Sequence, residues 1–214
     1  MPNFATLPEV KEFLGIDLTD STNDLLITNI LSRTTRIIQM YTGRKLFKAT
    51  ATEYHNGNGR DHELVLDLYP IVLITSVHDD VDRTYGDDTL LVEDTDFSVI
   101  EETDVDGENP GILLRLDGNV WYKGDQNIKI IYSGGYDEND IPKDIIQAQI
   151  DFVSYLYTQR DRRIGIESYR LGQFSVSYKT ESVVATNAFF SSIPSAIKDI
   201  LELYRDRRIE GTSA

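Results

Sequence analysis

The side chains best equipped for chemistry in this sequence are carboxylates. Between Asp79 and Glu108 stand thirteen acidic residues and a single basic one, Arg83. Asp79, Asp80, Asp82 and Asp106 are candidate oxygen ligands for Mg²⁺ or Ca²⁺, hard cations that take carboxylate donors. A cation held there would support a metal-dependent hydrolase. The run DVDGENPG sets Asp104, Asp106 and Glu108 at alternate places, as a calcium loop does. Gly107 falls at the fourth position, however, where an EF-hand needs glycine at the sixth. A turn is the simpler reading.

Other chemistry finds less support. His55, His62 and His78 have no metal-ligand spacing, and neither HExxH nor a Gly-rich phosphate loop after a strand is present. There is no GxSxG elbow, and Ser133 in SGGY has no histidine in context to activate it. No catalytic residue, cofactor or metal site is therefore assigned. Trp121, Tyr122, Tyr132 and Tyr136 could form an aromatic platform for a carbohydrate or a receptor, although core and interface roles explain them more simply. The motif RDRRI occurs twice, at Arg160 to Ile164 and Arg205 to Ile209, each at the end of a predicted helix. Cations there complement the helix dipole, and they could also meet an acidic surface.

Positioning any of these groups requires a frame, and the stretch from Ile128 to Arg163 supplies its centre. Ile128, Ile130 and Tyr132 alternate with Lys129, Ile131 and Ser133, the period of a half-buried strand. Gly134 and Gly135 break it, and Pro142 is preorganised for the first turn of a helix. In that helix Ile146, Ile150, Val153 and Tyr157 form one stripe, with Ile145, Ala148, Phe152 and Tyr155 beside it. Apolar over more than half its circumference, it should be buried by neighbours on several sides.

Upstream, Thr6 and Glu9 have capping-box spacing, with Pro8 inside the first turn. Val10, Phe13 and Leu14 make an apolar face, and Gly15 ends the helix. A second helix carries Leu26, Ile30, Ile37 and Tyr41 on one face and Ile27, Leu31, Thr34 and Ile38 beside them, closing at Gly43. From Leu46 to Ser133 the period becomes extended, with NGNG (Asn56 to Gly59) as a turn and six or seven short strands. The acidic interval reads as solvated loop around one or two of them. After the central helix, Ile164 to Ser192 shows no helix, although LGQFSVSYK could be a strand. Pro194 opens a last helix with Ile193, Ile197, Ile200, Leu201 and Tyr204 on one side.

The expected fold is α+β. A small helical bundle around a long central helix (1–45 and 134–214) carries an inserted all-β module (46–133), a short-stranded sandwich or barrel. With 214 residues the chain can bury a sizeable core, and the absence of cysteine excludes disulfides and thiolate metal sites. No membrane span or signal-peptide pattern is expected, which predicts a soluble protein that stays where it is made. A net charge of −15 argues against a general nucleic-acid binder and fits a solubilising surface.

The order TLPEVKEFLGID, a helix ending in YTGR, then TEYHNGNG, LYPIVLITSV, IIYSGGY and IPKDIIQAQIDFVSYLY resembles the head–tail connector (adaptor, or head completion) family of tailed bacteriophages. The likeness runs from about Leu7 to Tyr178, and LGQFSVSYK extends it past the central helix. It implies a structural virion protein, not an enzyme. Such a protein forms a ring, typically twelvefold, beneath the portal, joins the head to the tail and extends the DNA channel. The implied partners are the portal protein, the next connector or tail-completion protein and further copies of itself. DNA would pass without sequence-specific binding. The protein would act at the head–tail junction after assembly in the host cytoplasm. The candidate subunit or portal interface comprises Arg160, Arg162, Arg163, Phe174, Val176, Tyr178, Phe189, Phe190, Arg205, Arg207 and Arg208. The family's β segment is usually shorter and less acidic, so Asp79 to Glu108 stands outside the likeness. A metal-dependent hydrolase or a carbohydrate- or receptor-binding module built on the acidic β insertion is the alternative.

Overall fold

A computed structural model describes residues 2–100, 110–116, 118–159, 168–171, 174–177, 190 and 193–206. The chain is α+β, with four helices and antiparallel sheets among these residues. It divides into two compact units, residues 1–43 with 141–214 and residues 44–140.

In the helical unit the caps follow from local sequence. Helix α1 (Leu7–Phe13) is closed by reciprocal bonds in which Glu9 N donates to Thr6 Oγ1 at 3.4 Å and Thr6 N donates to Glu9 Oε2 at 2.7 Å. Gly15, at φ +68°, turns the chain out of the helix. The apolar face expected here is only partly real. Val10 is buried, but Phe13 is 54% exposed. Lys11 is buried in its stead, its Nζ donating to the carbonyls of Leu18 at 3.0 Å and Asp20 at 2.8 Å and pairing with Asp24 at 2.9 Å. An ammonium this deep is tolerated because each of its donors has a partner.

Helix α2 (Asp24–Thr42) ends at left-handed Gly43 and buries Ile27, Leu31, Thr34, Thr35, Ile37 and Ile38. The stripe led by Ile27 is thus the inner one, whereas Leu26 is 40% exposed. Helix α3 (Lys143–Gln159) follows Pro142, whose carbonyl accepts from the amides of Ile145 and Ile146. It packs against α1, α2 and α4 (Ser195–Glu202). Ile145, Ala148, Ile150, Phe152 and Val153 are buried on it, while Tyr155 faces out at 39% exposure.

One buried residue of α3 was not apolar. Gln149 is fully enclosed, and its carboxamide is hydrogen-bonded at both ends. Ala5 N donates to Oε1 at 2.6 Å, while Nε2 donates toward Leu31 O at 3.0 Å and Thr35 Oγ1 at 2.6 Å. The segment before α1, helix α2 and helix α3 are therefore joined through one side chain.

Among the described residues the β unit holds seven strands: β1 (Ala49–Gly57), β2 (Glu63–Val65), β3 (Ile71–Asp79), β4 (Leu90–Leu91), β5 (Phe97–Val99), β6 (Ile112–Arg115) and β7 (Gly124–Gly134). They form a four-stranded sheet in the order β1-β7-β3-β4 and a three-stranded sheet in the order β2-β6-β5. Ile128, Ile130 and Tyr132 of β7 and Val77 of β3 share one apolar cluster with Phe97 of β5, Leu113 of β6 and Trp121. Strands β4 and β5 fall within the acidic interval, in line with the one or two strands expected there, and Phe97 carries the interval into the core. At NGNG, β1 runs on to Gly57, where an added Cβ would lie 1.8 Å from Tyr122 O, and Gly59 makes the turn at φ +72°. A further pair, β8 (Ser168–Leu171) and β9 (Phe174–Ser177), makes a two-stranded antiparallel sheet of its own.

Replacing Gln149 by Ala should destabilise the helical unit by about 1–3 kcal/mol for each buried group left unpaired. Thermal melting of Gln149→Ala checks this; a Tm equal to wild type would show that the network contributes nothing.

Candidate assembly surface

Two of the residues expected at an interface, Phe190 and Arg205, are linked through Tyr41 and Glu202 in the helical unit. Phe190 packs edge-on against Tyr41 near the end of α2, with ring centroids 5.6 Å apart. The Tyr41 hydroxyl donates to Glu202 Oε1 at 2.5 Å, and Arg205 Nη1 lies 3.4 Å from the same carboxylate. Burial, reinforced by the Glu202 carboxylate, pushes the Tyr41 hydroxyl up to about 12. The Tyr41 hydrogen bond in turn holds Glu202 below its ordinary value. The result is an aromatic pair closed by an acid and a base, partly open to solvent.

The second RDRR motif is more than a basic face. Asp206 is buried, and its amide donates to Thr42 O at 2.8 Å, fastening the residues after α4 to the end of α2. Nearby, the Tyr204 hydroxyl donates to the Asp144 carboxylate at 2.7 Å. Sequence patterning placed Tyr41 and Tyr204 on apolar faces and gave no role to Glu202 or Asp144, because helical periodicity does not show which polar tips meet across helices. Phe174 and Val176 lie in β9, paired with β8, so part of Ile164 to Ser192 is regular strand. Arg160, Arg162, Arg163, Tyr178, Phe189, Arg207 and Arg208 lie outside the described residues.

Of the four carboxylates that the alternative reading offers to a metal cation, Asp79 and Asp80 serve the fold. Asp79 is buried at the end of β3, accepting from Tyr122 N at 3.0 Å and Asn127 Nδ2 at 2.9 Å. Burial pushes its carboxyl up. Asp80 accepts from the amides of Asp82, Thr84 and Tyr85 at 2.9, 2.7 and 2.7 Å and from Thr84 Oγ1 at 2.8 Å. These bonds, the one from Tyr85 foremost, hold Asp80 at about 2. Asp82 is exposed, and Asp106 lies outside the described residues. Among the described residues no three His, Asp or Glu side chains converge as ligands.

The three histidines are also dispersed. His55 Nε2 lies 2.9 Å from Glu53, His62 Nδ1 2.6 Å from Asn119 O and His78 Nδ1 3.4 Å from Thr89 Oγ1. The aromatic platform does not form either. Trp121, Tyr132 and Tyr136 are buried, which leaves only Tyr122 of the four exposed. Trp121 Nε1 donates to His62 O at 3.0 Å, and the Tyr132 hydroxyl donates to Glu53. Apart from Tyr122, these aromatics are core residues, and the polar tips of Trp121 and Tyr132 are hydrogen-bonded.

Two pH limbs follow. Tyr41 has a folded pKa near 12 against an ordinary 10.0, so its contribution is complete below pH 10 and is lost as pH rises toward 12. Asp80 stands near 2 against 3.8, so its contribution is present above that value and is lost as pH falls through 2. Tyr41→Phe should flatten the alkaline limb and Asp80→Asn the acid limb of stability against pH, measured by urea unfolding. Limbs superposable on wild type would contradict both assignments.

The geometry contains ties between elements and a partly open aromatic cluster. Solved structures with the same fold come from gene transfer agent particles. In the virion of a native gene transfer agent particle, the matching chain has a TM-score of 0.55 and 13% identity, over 96% of this chain and 91% of that one. In the neck of the empty particle, computed with C6 symmetry, the values are 0.58 and 13%, over 100% and 95%. In the neck of the native particle, computed with C12 symmetry, they are 0.51 and 11%, over 97% and 92%. No curated protein sequence matches the chain. The profile of the head completion protein family matches residues 3–207, nearly the whole length, and the chain belongs to that family.

Proposed function

We propose that this protein is a structural component of the head–tail junction of a phage-like particle. It assembles as a ring below the portal, joins head to tail and extends the DNA channel. The observation that carries the reading is the family match over residues 3–207. The likeness to chains from necks computed with C6 and C12 symmetry supports a ring. Its partners are further copies of the chain, the portal protein and the next connector or tail-completion protein.

The helical frame built on α3 (1–45 and 134–214) forms the body of the ring, and the β module (46–133) is an insertion in it. Arg160, Arg162 and Arg163 meet the acidic flank of the adjacent copy. Phe174, Val176, Tyr178, Phe189, Phe190, Arg205, Arg207 and Arg208 complete the contact surface. A chain of net charge −15 can line a DNA passage without gripping it, because like charge repels phosphate. The role is structural and not enzymatic, and the described helices include none long and apolar enough to cross a membrane.

Sedimentation and electron microscopy of the full-length protein, alone and with the portal, test the reading. Rings are expected. The triple charge reversal Arg160→Glu, Arg162→Glu, Arg163→Glu should weaken ring formation by about tenfold or more, with the monomer's melting unchanged. A protein that stays monomeric alone and with the portal would overturn the function. Rings unaffected by the reversal would remove the arginines from the interface.

A further inference from the structure

The two-stranded sheet β8–β9 and the edge of the four-stranded sheet each lack what the other offers. Strand β1 is the outer member of the order β1-β7-β3-β4, and among the described residues no strand lies on its far side. From Ala49 to His55 it pairs with β7 in unbroken register; the only shift comes between His55 and Gly57. Alternate residues of this seven-residue extended stretch therefore present outward N–H and C=O groups in a straight row. The opposite flank of the sheet is protected. Strand β3 carries β4 on its outer side at Val77 and His78, and its pairing with β7 is interrupted between Ile71 and Leu73 and again between Ile74 and Ser76. Bulges of this kind twist an edge away from partners. Strand β1 has no such protection and contains neither proline nor lysine within Ala49–Gly57.

The hairpin has the converse deficiency. Two paired strands of four residues bury too little to be stable alone, and a third strand is the usual remedy. Its register sets apolar cross-strand pairs, Tyr169↔Val176 and Leu171↔Phe174, between polar ones, Ser168↔Ser177 and Arg170↔Ser175. Strand β1 alternates in exposure. Ala51, Glu53 and His55 are partly covered, with Ala51 packed against the core, while Thr50, Thr52 and Tyr54 are exposed. A strand that is apolar at every second residue can continue both faces of this sheet.

We infer that β9 (Phe174–Ser177) of one copy adds to the open edge of β1 (Ala49–His55) of the next copy, so that main-chain hydrogen bonds join subunits around the ring. The inference rests on the ring reading and names the surface that receives the segment expected to reach a neighbour. Pairing of two different elements is head-to-tail, the form of contact that closes a ring when repeated.

The absence of cysteine makes the test direct. Facing residues of paired strands have Cα atoms about 4.5–5.5 Å apart, within reach of a disulfide. Full-length protein carrying Thr52→Cys is mixed with protein carrying Ser175→Cys, assembled into rings and oxidised. Thr50→Cys and Tyr54→Cys cover the alternative registers, and Thr95→Cys, exposed in the loop before β5, serves as control. At least one β1 position should give a covalent heterodimer at a yield about tenfold above the control, as adjacent strands require. Rings that form without such a band, or with equal bands from the control, would overturn the pairing and leave the ring standing. Failure to form rings with or without the portal would remove the ring reading and this inference together.

Discussion

The helical unit depends on one buried carboxamide. Gln149 sits where the repeat of α3 calls for an apolar side chain, between Ala148 and Ile150 on the enclosed face. A buried amide without partners would destabilise the unit, so its presence constrains everything around it. The N-terminal strap must bring Ala5 N to Oε1, and α2 must bring Leu31 O and Thr35 Oγ1 to Nε2. Thr35 also donates toward Asn3 Oδ1 at 3.0 Å, which ties the strap a second time. Apolar packing of Ile27, Leu31, Ile150 and Val153 would tolerate small slips in helix register. The carboxamide does not, because a slip of one residue leaves its donors and acceptor facing carbon.

An analogous constraint organises the β unit around β7. Both β1 and β3 hydrogen-bond to it, and its inward residues Ile128, Ile130 and Tyr132 meet the second sheet. Tyr132 ends this row in a polar group. Its hydroxyl accepts from Leu68 N at 2.9 Å and donates to Glu53 on β1. Burial, with the Glu53 carboxylate beside it, pushes the phenol well above its ordinary value, so it stays a donor. Just beyond, the backbone passes too close to its neighbours for any side chain. A Cβ on Gly134 would stand 2.4 Å from Leu68 O, and one on Gly135 2.8 Å from the Phe47 backbone, at φ +92°. The motif SGGY is thus explained by steric clearance at the exit from β7, with no demand for a nucleophilic serine.

What was legible in the sequence followed from local rules. The capping box at Thr6 and Glu9, the left-handed Gly43, Pro142 ahead of α3 and the alternation in β7 depend on a few adjacent residues, and each stands where it was expected. What was missed depends on partners distant in sequence. Lys11 and Gln149 look like surface residues until the carbonyls that receive them, from Leu18 to Leu31, are in place. Asp79 and Asp80 stayed open as metal candidates in the alternative reading because composition cannot tell a carboxylate aimed at solvent from one aimed at backbone amides. The open aromatic cluster was half visible. Phe190 and Arg205 were singled out as apolar and basic, but Tyr41 and Glu202, which hold them, had no local signature.

The acidic composition bears on how such a chain can bind copies of itself. At −15 per chain, neighbours approach against repulsion that salt screens only beyond about 8 Å. Inside that distance a contact must be stabilised by something other than opposite net charge. Main-chain hydrogen bonds and buried apolar pairs meet that requirement, since neither depends on the sign of the surface. Strand β1 suits this: its exposed side chains from Thr50 to Tyr54 are neutral, and its one carboxylate, Glu53, is already bonded to Tyr132 and His55. Much of the acidic charge lies instead between Asp79 and Glu108, an interval that starts at the end of β3 and runs through β4 and β5. Strand β1 carries one carboxylate, Glu53, and among the described residues no strand covers its outer edge. An edge whose exposed side chains are neutral can meet a neighbour without adding to the repulsion between acidic chains.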